Sequence, residues 1–506
     1  MMKKMNKMML ALVVAAMSIT AAQAEHVVII AANDTHSQIE PASDGQGGVM
    51  RRRAIYDQLR RDNKNTLLVH AGDAVQGTVY FSLYGGEVEY ALMDSLGYDM
   101  IVIGNHEFDN GLDSVAHYYR NVKAKKLSVN YDFSGTAMEG LFEPYIIKAY
   151  GDKRVAFFGI NVTPEGLISA ANYAGMRYVR SLDAADATAR FLKEVIKVDY
   201  AIMISHIGYN SYDPSEPNDV DIIKSSHYID MVIGGHSHTV VKPGTEYATV
   251  ANADGRPIVV GQNGKSGKFV ATYDLDLETG KVVYNQIPVN DKWDEAARSY
   301  PAMEAWLNHY KHGVDSLMNN VVGTSVRLMK NSGNALQNWV SDAAMKIIPA
   351  LSGVKDVQFA IMNKGGIRTD MPQGTVTEGL INSMFPFDNR FMVLEINGQD
   401  LLDALKVMAS RGGDAVSKEL QVTYNDKGEI ISAKVKGKKV NPKKTYRMVT
   451  IDYLANGGDY MVPLKNATRL YVDDVKYGVH ILDYVKKLSA TGKKIDSTDE
   501  CRMQKK

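Results

Sequence analysis

Short apolar runs alternate with longer stretches of helical spacing from residue 26 onward. The runs, which are rich in β-branched residues, include HVVIIAAND, TLLVHAGD, DMIVIGNHEFD, RVAFFGI, YAIMISHIG and IDMVIGGHSH. Strands that alternate with helices are typical of an α/β domain. Because the runs are apolar at nearly every position, we expect both faces of the sheet to be covered by other elements.

The pattern changes further along the chain. From about Pro257 to Val289, three runs predict β-hairpins that close the first domain. Residues 291–319 have helical spacing and little β character, which predicts a helix leading out of that domain. A second unit starts near Val321 and mixes helices with strands, as an α+β fold does.

The length of 506 residues exceeds what one hydrophobic core usually supports. We therefore predict a signal peptide at 1–24, a first domain at 25–290, a linker helix at 291–320 and a second domain at 321–506.

The charges balance, with 58 Lys plus Arg and 58 Asp plus Glu. A nucleic acid polymer as the main partner would call for a strong positive excess, so the composition argues against one. A small anionic ligand needs only local positive charge, which bound metal ions supply as well as arginines do.

The first residues have the order of a secretory signal peptide. Lys3, Lys4 and Lys7 precede the apolar stretch MMLALVVAAM, and the small residues AQA end at Ala24. We expect cleavage there and export to the periplasm or cell surface of a bacterium, with no transmembrane anchor left. A retained N-terminal anchor is the alternative, but the apolar stretch is short for a bilayer. The single cysteine, Cys501, permits no internal disulfide, and a large core does not require one.

Polar side chains follow five of the predicted strands of the first domain. In chain order they are Asp34 and His36, then Asp73, then Asn105, His106 and Asp109, then His206, and finally His236 and His238. In open α/β sheets, ligands bind beyond the carboxyl ends of the strands. One such cluster alone is usually a cap, but five clusters together predict a shared site.

The residue types indicate a metal centre. Imidazole, carboxylate and amide oxygen without thiolate suit zinc, manganese, cobalt or iron. The seven candidate ligands are too many for one ion and suit two ions that share a carboxylate. Two neighbouring ions can polarise a phosphoryl oxygen and activate the attacking water. His106 and Asp109 form a candidate pair in which the carboxylate orients an imidazole that protonates the leaving oxygen.

At these residues the sequence resembles the calcineurin-like metallophosphoesterases, through NDTH, GD, GNHEFD, SHIG and GGHSH. In the second half NKGGIR (363–368), FPFDN (385–389) and DYLANGGD (452–459) resemble the C-terminal domain of the exported 5'-nucleotidases, the group that includes periplasmic UDP-sugar hydrolase. The resemblance covers essentially residues 26–485.

The resemblance implies a fold and a set of site residues. The first domain would be a four-layer α/β/β/α sandwich, followed by the α+β C-terminal domain. One divalent ion, with zinc or manganese as first candidates, would be held by Asp34, His36, Asp73 and His238, and the other by Asp73, Asn105, His206 and His236. Phe387 and Tyr453 would sandwich the base, Asp459 would bind the ribose hydroxyls, and Asn363 and Arg368 would contact substrate. Arg327 is a further candidate, offset by one from the family position.

The sequence also departs from the family pattern. Thr35, Ser37 and Gln38 stand where many members carry Leu, Gly and a further His, which predicts a change at the rim of the site. Lys364 stands where a glycine is usual and would add positive charge near the nucleotide.

These features predict a dinuclear phosphohydrolase that removes the 5'-phosphate from nucleoside monophosphates, with UDP-sugars and other nucleotide pyrophosphates as further candidate substrates. Because base-binding and phosphate-cleaving groups sit on separate domains, we expect rotation about residues 315–330. The alternatives are a 2',3'-cyclic nucleotide phosphodiesterase or 3'-nucleotidase, a sulfur-ester hydrolase on the same scaffold, and a nucleoside-binding surface protein with an inactive metal site. The sequence leaves the oligomeric state open.

Overall fold

Two β-sheets lie face to face in the first half of the chain. The computed structural model describes residues 26–42, 44–210 and 216–506, so the predicted signal peptide lies outside the described residues. Strands are numbered β1 to β26 and α-helices α1 to α13 in chain order. The strands of the first sheet, in their order across it, are β15 (Val282–Pro288), β14 (Phe269–Asp276), β1 (His26–Ala32), β2 (Thr66–Ala71), β3 (Met100–Val102), β4 (Lys125–Leu127) and β6 (Phe142–Glu143).

The second sheet is also mainly parallel. Its strands, in order, are β12 (Thr249–Ala251), β13 (Pro257–Gly261), β11 (Met231–Ile233), β10 (Tyr200–His206), β8 (Lys153–Asn161) and β7 (Tyr145–Tyr150). A two-stranded pair, β5 (Tyr131–Asp132) and β9 (Arg177–Tyr178), lies beside them.

Helices cover the outer faces of both sheets. Those outside the first sheet are α1 (Val49–Asp62), α2 (Val79–Tyr84), α3 (Glu87–Leu96) and α4 (Leu112–Tyr119), and those outside the second are α5 (Ser181–Phe191) and α6 (Asp219–Ser225).

Alternation along the strands produces the layers. In β1, Val27 and Ile29 pack into the core between the sheets, whereas Val28 and Ile30 pack with Ile55 of α1. Successive side chains of a strand point to opposite faces, so an unbroken apolar run serves two cores. The predicted four-layer α/β/β/α arrangement is confirmed.

The parallel strands end level with one another. Ala71 of β2 is opposite Val102 of β3, and Ile204 of β10 is opposite Ile233 of β11. The loops after these strands therefore open at one edge of the sandwich, where the predicted site residues lie.

Two predicted elements differ in detail from the structure. Of the three predicted runs, β14 and β15 form a hairpin with each other, whereas β13 joins the second sheet, antiparallel to β12 and parallel to β11. The helix predicted over 291–319 is interrupted: α7 (Asp294–Ala297) precedes α8 (Pro301–Asn319). Pro301 has no amide hydrogen to continue the earlier turn and suits a first helical position.

The second half has its own core and sheets. A five-stranded sheet has the order β20 (Ala415–Val416), β17 (Phe359–Met362), β24 (Thr445–Ile451), β19 (Arg390–Asn397) and β25 (Thr468–Lys476). The remaining strands are β23 (Lys438–Lys439), β22 (Ile430–Val435), β21 (Leu420–Tyr424) and β26 (Met503–Lys505) in one sheet and the pair β16 (Val321–Ser325) and β18 (Gly374–Thr377).

Five helices accompany these sheets, which makes the second half α+β as predicted. They are α9 (Asn334–Ser352), α10 (Glu378–Met384), α11 (Gly398–Ser410), α12 (Asp452–Ala455) and α13 (Tyr477–Ala490). No helix among the described residues has the length and apolar character that a membrane span requires.

Candidate active site

The ligand-bearing loops have an unusual backbone. Asp34, His36, Asp73, His236 and His238, five of the seven predicted ligands, have positive φ angles between 46° and 83°. Such conformations cost about 1–3 kcal/mol each for residues with a side chain and persist only where surrounding contacts impose them. Contacts with surrounding residues therefore hold the loops in an unfavourable backbone conformation, and this conformation orients the ligand side chains.

The structure brings all seven predicted ligands together in two groups. Asp34, His36 and His238 form one group, and Asp73, His206 and His236 form the other; within each group the ligand atoms lie within 4.8 Å of one another. Asn105 joins the second group, its Oδ1 lying 2.9 Å from Nδ1 of His236 and 3.3 Å from Nε2 of His206.

Asp73 lies between the two groups. Its Oδ2 is 3.2 Å from Nε2 of His206 and 3.9 Å from Nε2 of His36. No hydrogen bond of good geometry reaches this buried oxygen from the described residues, and Nε2 of His36 lies only 2.8 Å from Nε2 of His238. An orphaned carboxylate oxygen beside converging imidazole nitrogens fits a pair of divalent ions that share Asp73.

The charges around Asp73 also favour a bound cation. Burial by itself would lower the pKa of His206, but Asp73 raises that pKa to about 10. Burial lowers the pKa of His236 to about 3, and it also holds the pKa of His36 well below its ordinary value. The imidazoles of His36 and His236 are thus held neutral, and the carboxylate of Asp73 attracts positive charge.

His106 and Asp109 form the predicted pair beside the metal-capable groups. They lie on a 3₁₀ turn, His106–Asn110, with Nδ1 of His106 3.0 Å from Oδ2 of Asp109. Burial opposes protonation of His106, but Asp109 and Asp73 outweigh it and raise the pKa of the imidazole above its ordinary value. An imidazole that holds its proton near neutral pH can donate it to a leaving oxygen.

Glycine lets two ligand loops approach closely. A Cβ on Gly104 would lie 2.2 Å from Oδ1 of Asp73 and 2.8 Å from Oε2 of Glu107. Only a residue without a side chain fits between the loops after β2 and β3, and this close approach sets the position of Asp73.

The substrate candidates of the second half face the same space. A cavity of about 650 Å³ is lined by Asp73, Asn105, His106, Asp109, His236 and His238 from the first half and by Asn363, Arg368, Phe387, Tyr453 and Asp459 from the second. The ring of Phe387 lies 5.7 Å from the ring of His106, and the Arg368 guanidinium lies 5.7 Å from the Phe387 ring. A smaller cavity of about 370 Å³ adjoins it at His236 and His238.

Asp459 is held by several neighbours. Its Oδ2 accepts a hydrogen bond from Nδ2 of Asn363 at 3.0 Å and lies 3.2 Å from the Arg411 guanidinium. The Tyr453 hydroxyl lies 3.1 Å from Oδ1 of Asp459. The carboxylate is thereby fixed at the edge of the cavity.

Two family models match the chain. The model of the calcineurin-like phosphoesterases matches residues 27–240, and the model of the 5'-nucleotidase C-terminal domain matches residues 316–465. The chain belongs to the 5'-nucleotidase family. The resemblance seen in the motifs is confirmed, and this member of the family is a hydrolase.

Individual relatives cover most of this 5'-nucleotidase family member. The 5'-nucleotidase of Vibrio cholerae is 27% identical over 475 residues, which are 86% of this chain and 85% of that protein. The trifunctional nucleotide phosphoesterase protein YfkN of Bacillus subtilis is 25% identical over 94% of this chain, which spans only 35% of that longer protein. The crystal structure of a 5'-nucleotidase precursor from Thermus thermophilus has a TM-score of 0.82 and 26% identity, covering 95% of this chain and 99% of that one.

One predicted substrate residue does not reach the cavity of this family member. Arg327 pairs with Asp496 at 3.0 Å and with Asp499 at 3.1 Å, on the surface of the second half. Lys364 lines the smaller cavity, and its Nζ donates to the Arg411 carbonyl at 2.9 Å. The positive charge that Lys364 adds is thus directed away from the larger cavity.

Sequence reasoning missed two residues that shape the site. Glu107 is buried and accepts hydrogen bonds from the backbone of Gly104, Asp73 and Ala74 at 2.7 to 3.1 Å. The position of Glu107 within the motif GNHEFD is the sequence feature that could have indicated this role. Arg411 pairs with Asp414 and Asp459, and the turn sequence SRGGD offered no signal for that role.

Proposed function

We propose that this chain is a dinuclear metal-dependent phosphohydrolase that removes the 5'-phosphate from nucleoside monophosphates, with nucleotide pyrophosphates such as UDP-sugars as further candidate substrates. The observation that carries the proposal is the shared cavity: six of its lining residues come from the metal-capable loops and their His106–Asp109 pair, and five are the aromatic and polar groups of the second half. Residues 25–290 would be the catalytic domain, 291–320 the linker and 321–506 the nucleotide-binding domain.

The predicted ligands would hold two divalent ions, with zinc or manganese as first candidates. One set is Asp34, His36, Asp73 and His238, and the other is Asp73, Asn105, His206 and His236. Such ions supply Lewis acidity toward a phosphoryl oxygen and the attacking water when bound. The orphaned Oδ2 of Asp73, close to nitrogens of both groups, supports the sharing of that carboxylate.

His106 and Asp109 would handle the leaving group. The Asp109 carboxylate keeps the imidazole oriented through Nδ1, which leaves Nε2 to give its proton to the departing nucleoside oxygen. Arg368 adds a positive charge beside the same space, since it interacts electrostatically with Asp73 and Asp109. It would stabilise the charge of the phosphoryl group.

The second half would bind the nucleoside. Phe387 and Tyr453 offer flat aromatic faces that grip a base with little sequence preference. Asp459, fixed by Asn363, would accept hydrogen bonds from the ribose hydroxyls. We also propose export to the periplasm or cell surface, on the strength of the signal-peptide pattern at residues 1–24.

A substrate panel after chelation tests this function. AMP, UMP, UDP-glucose, 2',3'-cyclic AMP and p-nitrophenyl phosphate are assayed with metal-free protein and after add-back of single metals. We expect activity toward AMP and UMP to vanish on chelation and to return with Zn²⁺ or Mn²⁺. Preference for the cyclic substrate would instead support the phosphodiesterase alternative, and absence of bound transition metal by elemental analysis would support the nucleoside-binding alternative.

A further inference from the structure

The loop that carries Asp34 and His36 has three positive φ angles within four residues. Asp34, His36 and Ser37 have φ angles of 47°, 46° and 56°. Positive φ is uncommon for residues with a side chain, although Asp and His adopt it more often than most, and three such residues within four positions require contacts from outside the loop to hold them there. Those contacts decide where the carboxylate of Asp34 and the imidazole of His36 point.

The contacts come from beneath the loop rather than from the cavity. Ser37 Oγ donates a hydrogen bond to Glu89 of α3 and lies 2.7 Å from Oγ1 of Thr78. Thr35 Oγ1 lies 3.1 Å from Nε2 of His70. Both loop hydroxyls are buried, with 5% of Thr35 and 2% of Ser37 exposed. The sequence predicts that these two residues alter the rim of the site. In the structure, their side chains instead point into the core.

A carboxyl group is unfavourable at the buried position of Glu89, and among the described residues its side chain is hydrogen-bonded to Ser37. The residue is 5% exposed among apolar neighbours such as Leu92 and Met93, and its Oε2 accepts no hydrogen bond among the described residues. A buried carboxylate is unfavourable unless it is paired. Its Oε1 accepts a hydrogen bond from Ser37, the residue that follows a predicted metal ligand.

A small polar cavity completes the arrangement. Its volume is about 30 Å³, and Thr35, Ser37, His70 and Glu89 are among the residues that line it. Nδ1 of His70 and Oε2 of Glu89 are both buried, and neither has a hydrogen-bond partner in the part of the chain that the structure describes. A space of this size with such groups accommodates an ordered water molecule. The hydroxyls of the loop are thus connected to a polar pocket inside an otherwise apolar layer.

We infer that Ser37 and Glu89 are positioning residues that hold the Asp34–His36 loop in its metal-binding conformation. The inference rests on the proposed metal site and goes beyond it, since neither residue is a predicted ligand or substrate contact. Their effect is transmitted through the backbone of the loop. Removing the hydrogen bond should therefore weaken metal binding more than it weakens the fold.

Metal affinity of the folded protein is the test. Wild type, Ser37→Ala, Glu89→Met and Glu89→Gln are stripped of metal, and the dissociation constant for Mn²⁺ is measured by competition with a chelator and by the Mn²⁺ spin-resonance spectrum. We expect Ser37→Ala and Glu89→Met to weaken the tighter Mn²⁺ site about tenfold, which equals a loss of about 1.4 kcal/mol. Glu89→Gln should stay within about twofold, because its amide oxygen still accepts from Ser37.

Tyr56→Phe is the matched control. It removes a buried hydrogen bond of the same core, between Tyr56 and Tyr98 at 3.1 Å, without touching the loop. This variant should lower the melting temperature and leave Mn²⁺ affinity unchanged. If Ser37→Ala and Glu89→Met bound Mn²⁺ with wild-type affinity, the positioning role would be overturned, but the proposed metal site would not be. Absence of Mn²⁺ binding by wild type would overturn the proposed function itself. Ser37→Ala alone decides the matter if Glu89→Met does not fold.

Discussion

His106 is the side chain whose removal should separate catalysis from metal retention. Its backbone amide donates to Oδ1 of Asp73 at 2.9 Å, a contact that survives substitution, while its imidazole faces the cavity. Loss of a general acid typically costs about 10²- to 10⁴-fold in rate. We expect His106→Ala to lower kcat for AMP within that range and to keep its metal content. Steady-state kinetics and elemental analysis on the same sample measure both.

His117→Ala provides the control for that experiment, because it changes an exposed histidine of α4 only eleven residues away. It should leave kcat unchanged. Full activity of His106→Ala toward every substrate would remove the imidazole from the mechanism, and loss of metal would show instead that it supports the ligand loops.

Glu89 also predicts a pH dependence of stability. Burial raises the pKa of Glu89 from 4.5 to about 7 in the folded protein, so the folded state binds this proton more tightly than the unfolded chain does. The contribution to stability is complete below pH 4.5 and is lost as pH rises toward 7. The groups that face it include Arg52, His70 and Tyr98, which line the same small cavity.

Glutamine at this position is neutral at every pH. The free energy of unfolding of Glu89→Gln should therefore rise relative to that of wild type between pH 4.5 and 7, and the difference should stay constant above pH 7. The gain is at most about 3 kcal/mol for a shift of this size. Urea unfolding of both metal-free proteins from pH 5 to 8 measures the difference. Glu295→Gln, on the exposed surface, is the control. If the difference in unfolding free energy from wild type were independent of pH for both variants, the expectation would be contradicted.

At the level of elements, the strand-end clusters could be predicted because parallel strands bring their carboxyl ends to one edge. Asp34, Asp73 and His206 are separated by up to 172 positions in the chain and still meet there. The left-handed backbone of the loops could not be predicted, since it depends on contacts such as the one between Ser37 and Glu89. The placement of β13 in the second sheet likewise depends on its pairing with β11, which lies elsewhere in the sequence.

Gly104 gives a prediction for the loops after β2 and β3. A methyl group there would overlap Oδ1 of Asp73, so Gly104→Ala must displace either the carboxylate or the loop. We expect loss of at least one equivalent of bound metal and a fall in kcat of more than about 10²-fold, comparable to the loss of a positioned group. Metal stoichiometry and circular dichroism distinguish this from unfolding. A variant with full metal and wild-type kcat would show that the two loops can move apart at no cost.

At the scale of the molecule, the contacts between the two halves could not be predicted from the sequence. The motifs indicate which residues of each half form the site, but not which atoms of the two halves touch. The carbonyl of Gly166, in the first half, accepts a hydrogen bond from the Asp459 backbone amide at 2.6 Å. The Tyr453 hydroxyl lies 3.1 Å from the same carbonyl. Asp459 and Tyr453 are therefore tied to the first half at one backbone carbonyl. The rotation expected about residues 315–330 would make and break this contact.

Gly166→Ala should weaken that tie. Its φ is 82°, and a Cβ would lie 2.9 Å from the Tyr460 ring, so the substituted loop must withdraw from Tyr453 and Asp459. Two lost hydrogen bonds amount to about 1–3 kcal/mol, which corresponds to a rise in KM for AMP of roughly 5- to 150-fold. Hydrolysis of p-nitrophenyl phosphate should change less than about twofold. This substrate has no ribose or base, so it does not depend on the positions of Tyr453 and Asp459.

The neighbouring Glu165→Gln is the control for this comparison. It removes only a surface ion pair with Lys465 at 3.8 Å, and exposed pairs of this kind contribute little. AMP and p-nitrophenyl phosphate should both be hydrolysed at wild-type rates by that variant. An equal defect of Gly166→Ala toward both substrates would place its effect at the metal centre, and an unchanged KM for AMP would mean that the two halves position the nucleotide without this contact.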